Sequence, residues 1–149
     1  MLQNMGGFEM ISVLLLMNRR IMSDAIMQTL ADDSRFKFYA SQKYRNVGAA
    51  ARTFTPNIAL VEIPESKAYH PEEYIEICTE VRDAMPGCKL LLMCPEDSGE
   101  SKKAAVEAMQ TGKIDDFVYY DVSIDYLVSK LLVLSGVHSN HKKAEEKIS

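Results

Sequence analysis

Tryptophan is absent from this 149-residue chain, and the other structure-breaking or structure-stapling residues are few: five prolines, seven glycines and three cysteines. Cys78, Cys88 and Cys94 form no C-x-x-C pair and leave an odd thiol over, which predicts reduced thiols and a cytoplasmic setting rather than a disulfide framework. No long apolar run occurs. The longest, Val13 to Met17, is far short of a membrane span. Excess positive charge is also missing: the net charge of -4 and a pI near 5.4 argue against a nucleic-acid footprint in the part present, because phosphate binding needs a basic face.

Several chemical signatures are absent too. There is no G-x-G-x-x-G and no G-x-x-x-x-G-K-[ST], hence no backbone cradle for a pyrophosphate or triphosphate. A nucleophile elbow G-x-S-x-G is lacking, and no histidine lies near a strand end to serve as a base. His70 falls at a helix start; His138 and His141 fall in a polar tail and, with no third ligand, predict no metal site. The expectation is therefore no metal, no cofactor and no membrane segment.

What is present is a repeated alternation of short apolar runs with helical stripes. The pattern predicts strands over 11–17, 36–40, 58–62, 89–94 and 117–120, and helices over 21–30, 47–54, 71–85, 98–110 and 124–134. Five strands alternating with five helices predict a doubly wound α/β domain with a five-stranded parallel sheet in three layers, flavodoxin-like in class. Residues 1–9, with Gly6-Gly7 and no periodicity, read as a flexible leader, 10–136 as the domain, and 137–149 as a charged linker or tail. Inward stripes are expected at Met22, Ala25, Ile26, Thr29 and Leu30; at Tyr74, Ile77, Cys78, Val81 and Met85; at Ala104, Ala105, Ala108 and Met109; and at Ile124, Leu127, Val128 and Leu131.

The central stretch is Pro56-Asn57-Ile58-Ala59-Leu60-Val61-Glu62-Ile63-Pro64, an apolar run ending on a carboxylate. In an open α/β sheet the carboxyl ends of the strands are where ligands bind, so Glu62 and its surroundings form the candidate site. Asn18, Cys94 and Tyr120 fall at neighbouring strand ends and complete a set of carboxylate, amide, thiol and phenol.

These motifs resemble, in order and spacing, the receiver domain of response regulators (CheY-like), closest to the receivers of NarL-type, LuxR-type transcription regulators, over about 11–136. Leu30-Ala31-Asp32-Asp33-Ser34-Arg35-Phe36 is similar to the segment joining that family's first helix and second strand. The Pro56 to Ile63 stretch is similar to its phosphoacceptor strand, P-D-[LIV]-[LIV]-[LIV]-[LIVM]-D-[LIVM]. Pro86 to Cys94 resembles its fourth strand, and Gly112 to Ser123 its G-A-x-G-Y-[LIV]-x-K-D-x-S run with one residue more.

The resemblance implies a signalling module rather than an enzyme, and its departures imply a pseudo-receiver. Glu62 stands at the phosphoacceptor Asp. Met17 and Asn18 stand at the Mg²⁺-holding acid pair, Cys94 at the Thr or Ser, Tyr120 at the Lys and Phe117 at the switch aromatic. With that set changed, Mg²⁺ would have only Glu62 and carbonyl oxygens, and phosphoryl transfer would lose its charge neutralisation. The sequence leaves Glu62 three fates: a hydrogen bond to Tyr120, one to the loops, or solvent. Phe117 is expected to be core, and Cys94 either a small buried hydrophobe or an exposed redox thiol.

By the resemblance, the fourth and fifth helices imply a face for a protein partner or homodimer, with Tyr119, Tyr126, Lys130 and Val133 as candidates. DNA would be reached only through an effector domain joined at 137–149. Two further readings remain open. One is a small flavodoxin-like enzyme or ligand-binding domain at the Glu62 pocket; the other moves phosphorylation to Asp97 or Asp121.

Overall fold

A computed structural model describes residues 10–65 and 70–136. The leader 1–9, most of the loop after Glu65 and the tail with His138 and His141 lie outside the described residues. Ten elements follow in strict alternation: β1 (Ile11–Leu16), α1 (Arg20–Thr29), β2 (Phe36–Ser41), α2 (Val47–Phe54), β3 (Ile58–Glu62), α3 (Pro71–Ala84), β4 (Lys89–Cys94), α4 (Gly99–Gln110), β5 (Asp116–Tyr119) and α5 (Ile124–Ser135). All pairings are parallel, in the order β2-β1-β3-β4-β5. This is the doubly wound flavodoxin-like sheet that the alternation predicts.

Alternation along the strands divides the core in two. Leu14, Leu16, Ala59, Val61, Leu90, Leu92 and Cys94 meet α2, α3 and α4 on one face. Val13, Leu15, Met17, Ile58, Leu60, Leu91, Met93 and Val118 meet α1 and α5 on the other. All five residues of β3 are buried, so both faces of the central strand are covered. Glu62 belongs by this alternation to the α1/α5 face, level with Met93 on β4.

The strand ends are fixed by polar contacts. At the amino ends, Asn57 accepts the Ser12 N–H on its side-chain oxygen at 2.8 Å, donates its own N–H to Ser12 O at 2.8 Å and accepts from Lys89 N at 2.9 Å. Near the start of β5, Asp115 accepts from the Leu90 N–H at 2.8 Å and pairs with Arg82, which also donates to Gly112 O at 2.8 Å. Gly112, at φ +76°, turns the chain after α4, with the Lys113 N–H returning to Ala108 O at 2.8 Å.

Several predicted stripes are shifted. In α1, Ala25 and Thr29 are exposed, whereas Ser23 is buried and Met27 packs inward. The observed stripe is 22, 23, 26, 27 and 30, and Ser23 fits because its hydroxyl donates to Arg20 O at 3.1 Å. In α3, Ile75 rather than Ile77 is buried, and in α4 Met109 is 37% exposed, since the alanines alone fill the narrow space over the sheet. Strand β5 begins and ends one residue earlier than predicted, leaving Tyr120 just past its end.

Candidate functional site

The centre of the carboxyl-end pole is an ion pair that the strand-by-strand reading did not anticipate. Glu62 is fully buried, and its partner is Arg19, the residue that caps α1. The Arg19 main-chain N–H donates to Glu62 Oε1 at 3.0 Å, and its Nε donates to Oε2 at 2.5 Å. The carboxylate lies beside the first turn of α1, where the helix dipole also favours negative charge. Of the three fates left to Glu62, the bond to the loops is the one found: the β1–α1 loop holds it through the Arg19 main-chain N–H, with a guanidinium contact added, and it neither bonds Tyr120 nor reaches solvent. An isolated buried carboxylate would be costly, so an obligate cation next to it is the physical solution.

Tyr120 holds the arginine in place. Its ring lies under the guanidinium, 4.0 Å from ring centroid to Cζ, and its hydroxyl donates to Ile63 O. Burial first, and the Glu62 charge second, push the Tyr120 phenol well above its ordinary range. Arg19 also reaches the Met22 sulfur at 3.3 Å. The Arg19 side chain is 40% exposed, so the pair joins a partly solvated cation to a fully buried carboxylate.

A second phenol ties the neighbouring strands together. Tyr44, in the β2–α2 loop, donates to Glu62 O at 2.9 Å and accepts from the Asn18 N–H at 2.9 Å. Its ring meets Tyr74 edge to face at 5.2 Å. Burial and then the Glu62 charge make this phenol a much weaker acid than an ordinary tyrosine.

Of the other predicted positions, Met17 is buried core, and Asn18 is exposed and holds Tyr44 through its main chain. Cys94 is fully buried, its carbonyl accepting from the Tyr120 N–H at 3.0 Å, and burial pushes its thiol up to about 12. It is a buried hydrophobe and not an exposed redox thiol. Phe117 is half-buried on the α2/α3/α4 face and meets Tyr119 edge to face at 5.7 Å. Tyr126 is 54% and Val133 44% exposed on α5, while Lys130 is held by Asp116 at 2.6 Å and lies 5.2 Å from the Tyr126 ring centroid. Leu132 and Leu134 pack inward, so Tyr126 and Val133 are the large apolar side chains that α5 leaves exposed.

The donor set does not fit Mg²⁺, the ion that the resemblance implies. Both Glu62 oxygens are engaged by Arg19, the Met17 side chain offers no oxygen, and a divalent cation would sit against the guanidinium charge. Among the described residues no group of three or more His, Cys, Asp or Glu is placed to hold a metal. A cleft of about 420 Å³ opens beside the site between the β3–α3 and β4–α4 loops, lined in part by Glu65, Asp97 and Glu100; Glu62 is not among its lining residues. Arg19 was missed because it reads as a polar break after β1. The signal that could have found it is its place: in the order β2-β1-β3, the first cation after β1 falls beside the end of β3.

No family model matches the sequence, and no curated protein matches it. Solved structures do. A response regulator receiver domain protein (CheY-like) from Methanospirillum hungatei JF-1 superposes with a TM-score of 0.67 at 16% identity, over 91% of this chain and 99% of that one. A DNA-binding response regulator of the LuxR family from Staphylococcus aureus gives 0.67 at 16%, over 85% and 99%. An adenylate cyclase from Rhodopirellula baltica gives 0.71 at 14%, over 94% and 98%. At these identities the likeness is one of fold: the chain has the CheY-like fold of receiver domains, including that of a LuxR-family regulator. No helix among the described residues is long and apolar enough to cross a membrane.

Proposed function

We propose that this chain is a pseudo-receiver: a two-component-type regulatory module that acts through protein contact, without phosphoryl transfer or other enzymatic activity. The Arg19–Glu62 pair carries this reading, because it engages both oxygens of the one carboxylate at the end of β3. A phosphoacceptor needs a free carboxylate oxygen in line with the donor and a metal to neutralise charge. Here that oxygen is already hydrogen-bonded and the neutralising charge is the protein's own. In this reading Glu62, Met17, Asn18, Cys94, Tyr120 and Phe117 are the changed counterparts of the family's reactive and switch positions.

The module would work in the cytoplasm as the amino-terminal part of a LuxR-type transcription regulator, with DNA reached through an effector domain beyond 136. Partner contact or homodimerisation would use the fourth and fifth helices, where Tyr126 and Val133 are exposed, with Tyr119 and Lys130 at the rim.

The test is incubation with Mg²⁺ and acetyl phosphate, and separately with beryllofluoride, read by intact mass and by NMR at the Arg19 and Glu62 amides. The expected result is no adduct and no shift. A stoichiometric acid-labile adduct at Glu62 would overturn the proposal, and one at Asp97 or Asp121 would replace it with a relocated phosphosite.

A further inference from the structure

The two edges of the sheet are managed differently. Strand β5 has only four residues, and the acids at its start are engaged, Asp115 by Arg82 and Asp116 by Lys130. Strand β2 has six residues, contains no proline and pairs with β1 in unbroken register over its whole length. A long regular edge presents a ready template for another strand unless it is blunted.

The register shows which groups are offered. Ile11 N–H donates to Arg35 O at 2.7 Å and Met17 N–H to Ser41 O at 3.1 Å, so the odd-numbered residues of β2 turn their main chain toward β1. Phe38 and Ala40 therefore turn their N–H and C=O groups outward, where the sheet has no further strand among the described residues. Ala40 is exposed and small, which leaves room beside the half-buried Phe38.

Along β2 and the loop that follows it the charge has one sign. Lys37, Lys43 and Arg45 are exposed, and among the described residues no carboxylate lies within ion-pair distance of any of them. Arg35, by contrast, is neutralised by Asp33 at 2.8 Å. A second copy pairing here would bring two such basic rims together, whereas an acidic strand would meet them with opposite charge.

We infer that the β2 edge is a docking site for an extended acidic segment of a partner protein, which adds a strand beside Phe38 and Ala40 and sets its carboxylates against Lys37, Lys43 and Arg45. The edge chemistry does not depend on the pseudo-receiver reading, which contributes only the expectation of a protein partner.

The probe is an end-capped, strand-length peptide alternating valine and glutamate, titrated into the full chain and followed by amide NMR. Shifts and slowed exchange at the Phe38 and Ala40 amides are expected, with affinity falling as salt rises. Lys37→Glu/Lys43→Glu should weaken binding at least about tenfold while the fold is unchanged. Ala40→Pro, which removes an outward N–H and none of the ladder to β1, should abolish it. Absence of shifts in β2, or equal binding of a valine–lysine peptide, would overturn the inference. So would a wild-type dimer in sedimentation that Ala40→Pro dissolves, since the edge would then belong to a second copy. Phosphodonor results bear on none of these readouts.

Discussion

Arg19 grips Glu62 twice, once through its main-chain N–H and once through its guanidinium, so one residue both caps α1 and neutralises a fully buried carboxylate on β3. The backbone contact fixes the β1–α1 loop, and the side-chain contact makes the charge tolerable.

Removing the cation alone should therefore hurt more than removing both charges. Breaking a buried pair from one side costs about 3–5 kcal/mol, and the partial exposure of Arg19 places Arg19→Met near the low end, about 3 kcal/mol. Glu62→Gln keeps an acceptor for the Arg19 N–H and should cost about 1 kcal/mol. Arg19→Met/Glu62→Gln should recover much of the single-variant loss, giving a coupling well above about 1 kcal/mol in a urea-denaturation cycle. A loss below about 0.5 kcal/mol for Arg19→Met would show that the pair is not formed.

Stability should fall on the alkaline side. The thiols of Cys78 and Cys94 are raised from 9.0 to about 12 and that of Cys88 to about 11, each by burial first, and the phenols of Tyr44 and Tyr120 are raised beyond that, also by burial first. A folded-state value above the unfolded one gives stability that is complete below the unfolded value and lost as pH rises toward the folded one. Unfolding free energy should thus hold to about pH 9 and then decline, the thiols acting from about 9 and the phenols from about 10. Urea midpoints at pH 8, 10 and 11 check this. A flat profile would contradict the burial of these groups.

The proposed α5 contact makes a separate prediction. Tyr126→Ala and Val133→Asp alter exposed side chains and should change stability by about 0.5 kcal/mol or less. If α5 pairs two copies, both variants should shift sedimentation toward monomer at concentrations where the wild type dimerises. A wild type that stays monomeric at all concentrations removes the homodimer and leaves a foreign partner as the only occupant of that face.

The sheet was legible in the sequence because its central strands are continuous apolar runs, Leu14 to Leu16, Ala59 to Val61 and Leu90 to Leu92, and prolines follow the last two within a few residues. Periodicity served less well in α1, where a serine satisfied by its own helix takes an inward place and an alanine faces water. The ion pair was not legible because it joins residues 43 positions apart, and no local pattern marks Arg19 as different from the exposed Arg20 beside it. Only the order of strands makes them neighbours. Tyr44 is a similar case: its value lies in bridging Asn18 and Glu62, which its own loop sequence does not announce.

The all-parallel sheet also decides where the chain can be extended. Each strand runs toward the Glu62 pole and each helix runs back, so the start of β1 at Ile11 and the end of α5 at Ser135 both lie at the opposite pole. A dye or surface tether attached at Ile11 or Ser135 sits away from Arg19 and Glu62. These two positions can thus serve as handles remote from the Arg19–Glu62 pair.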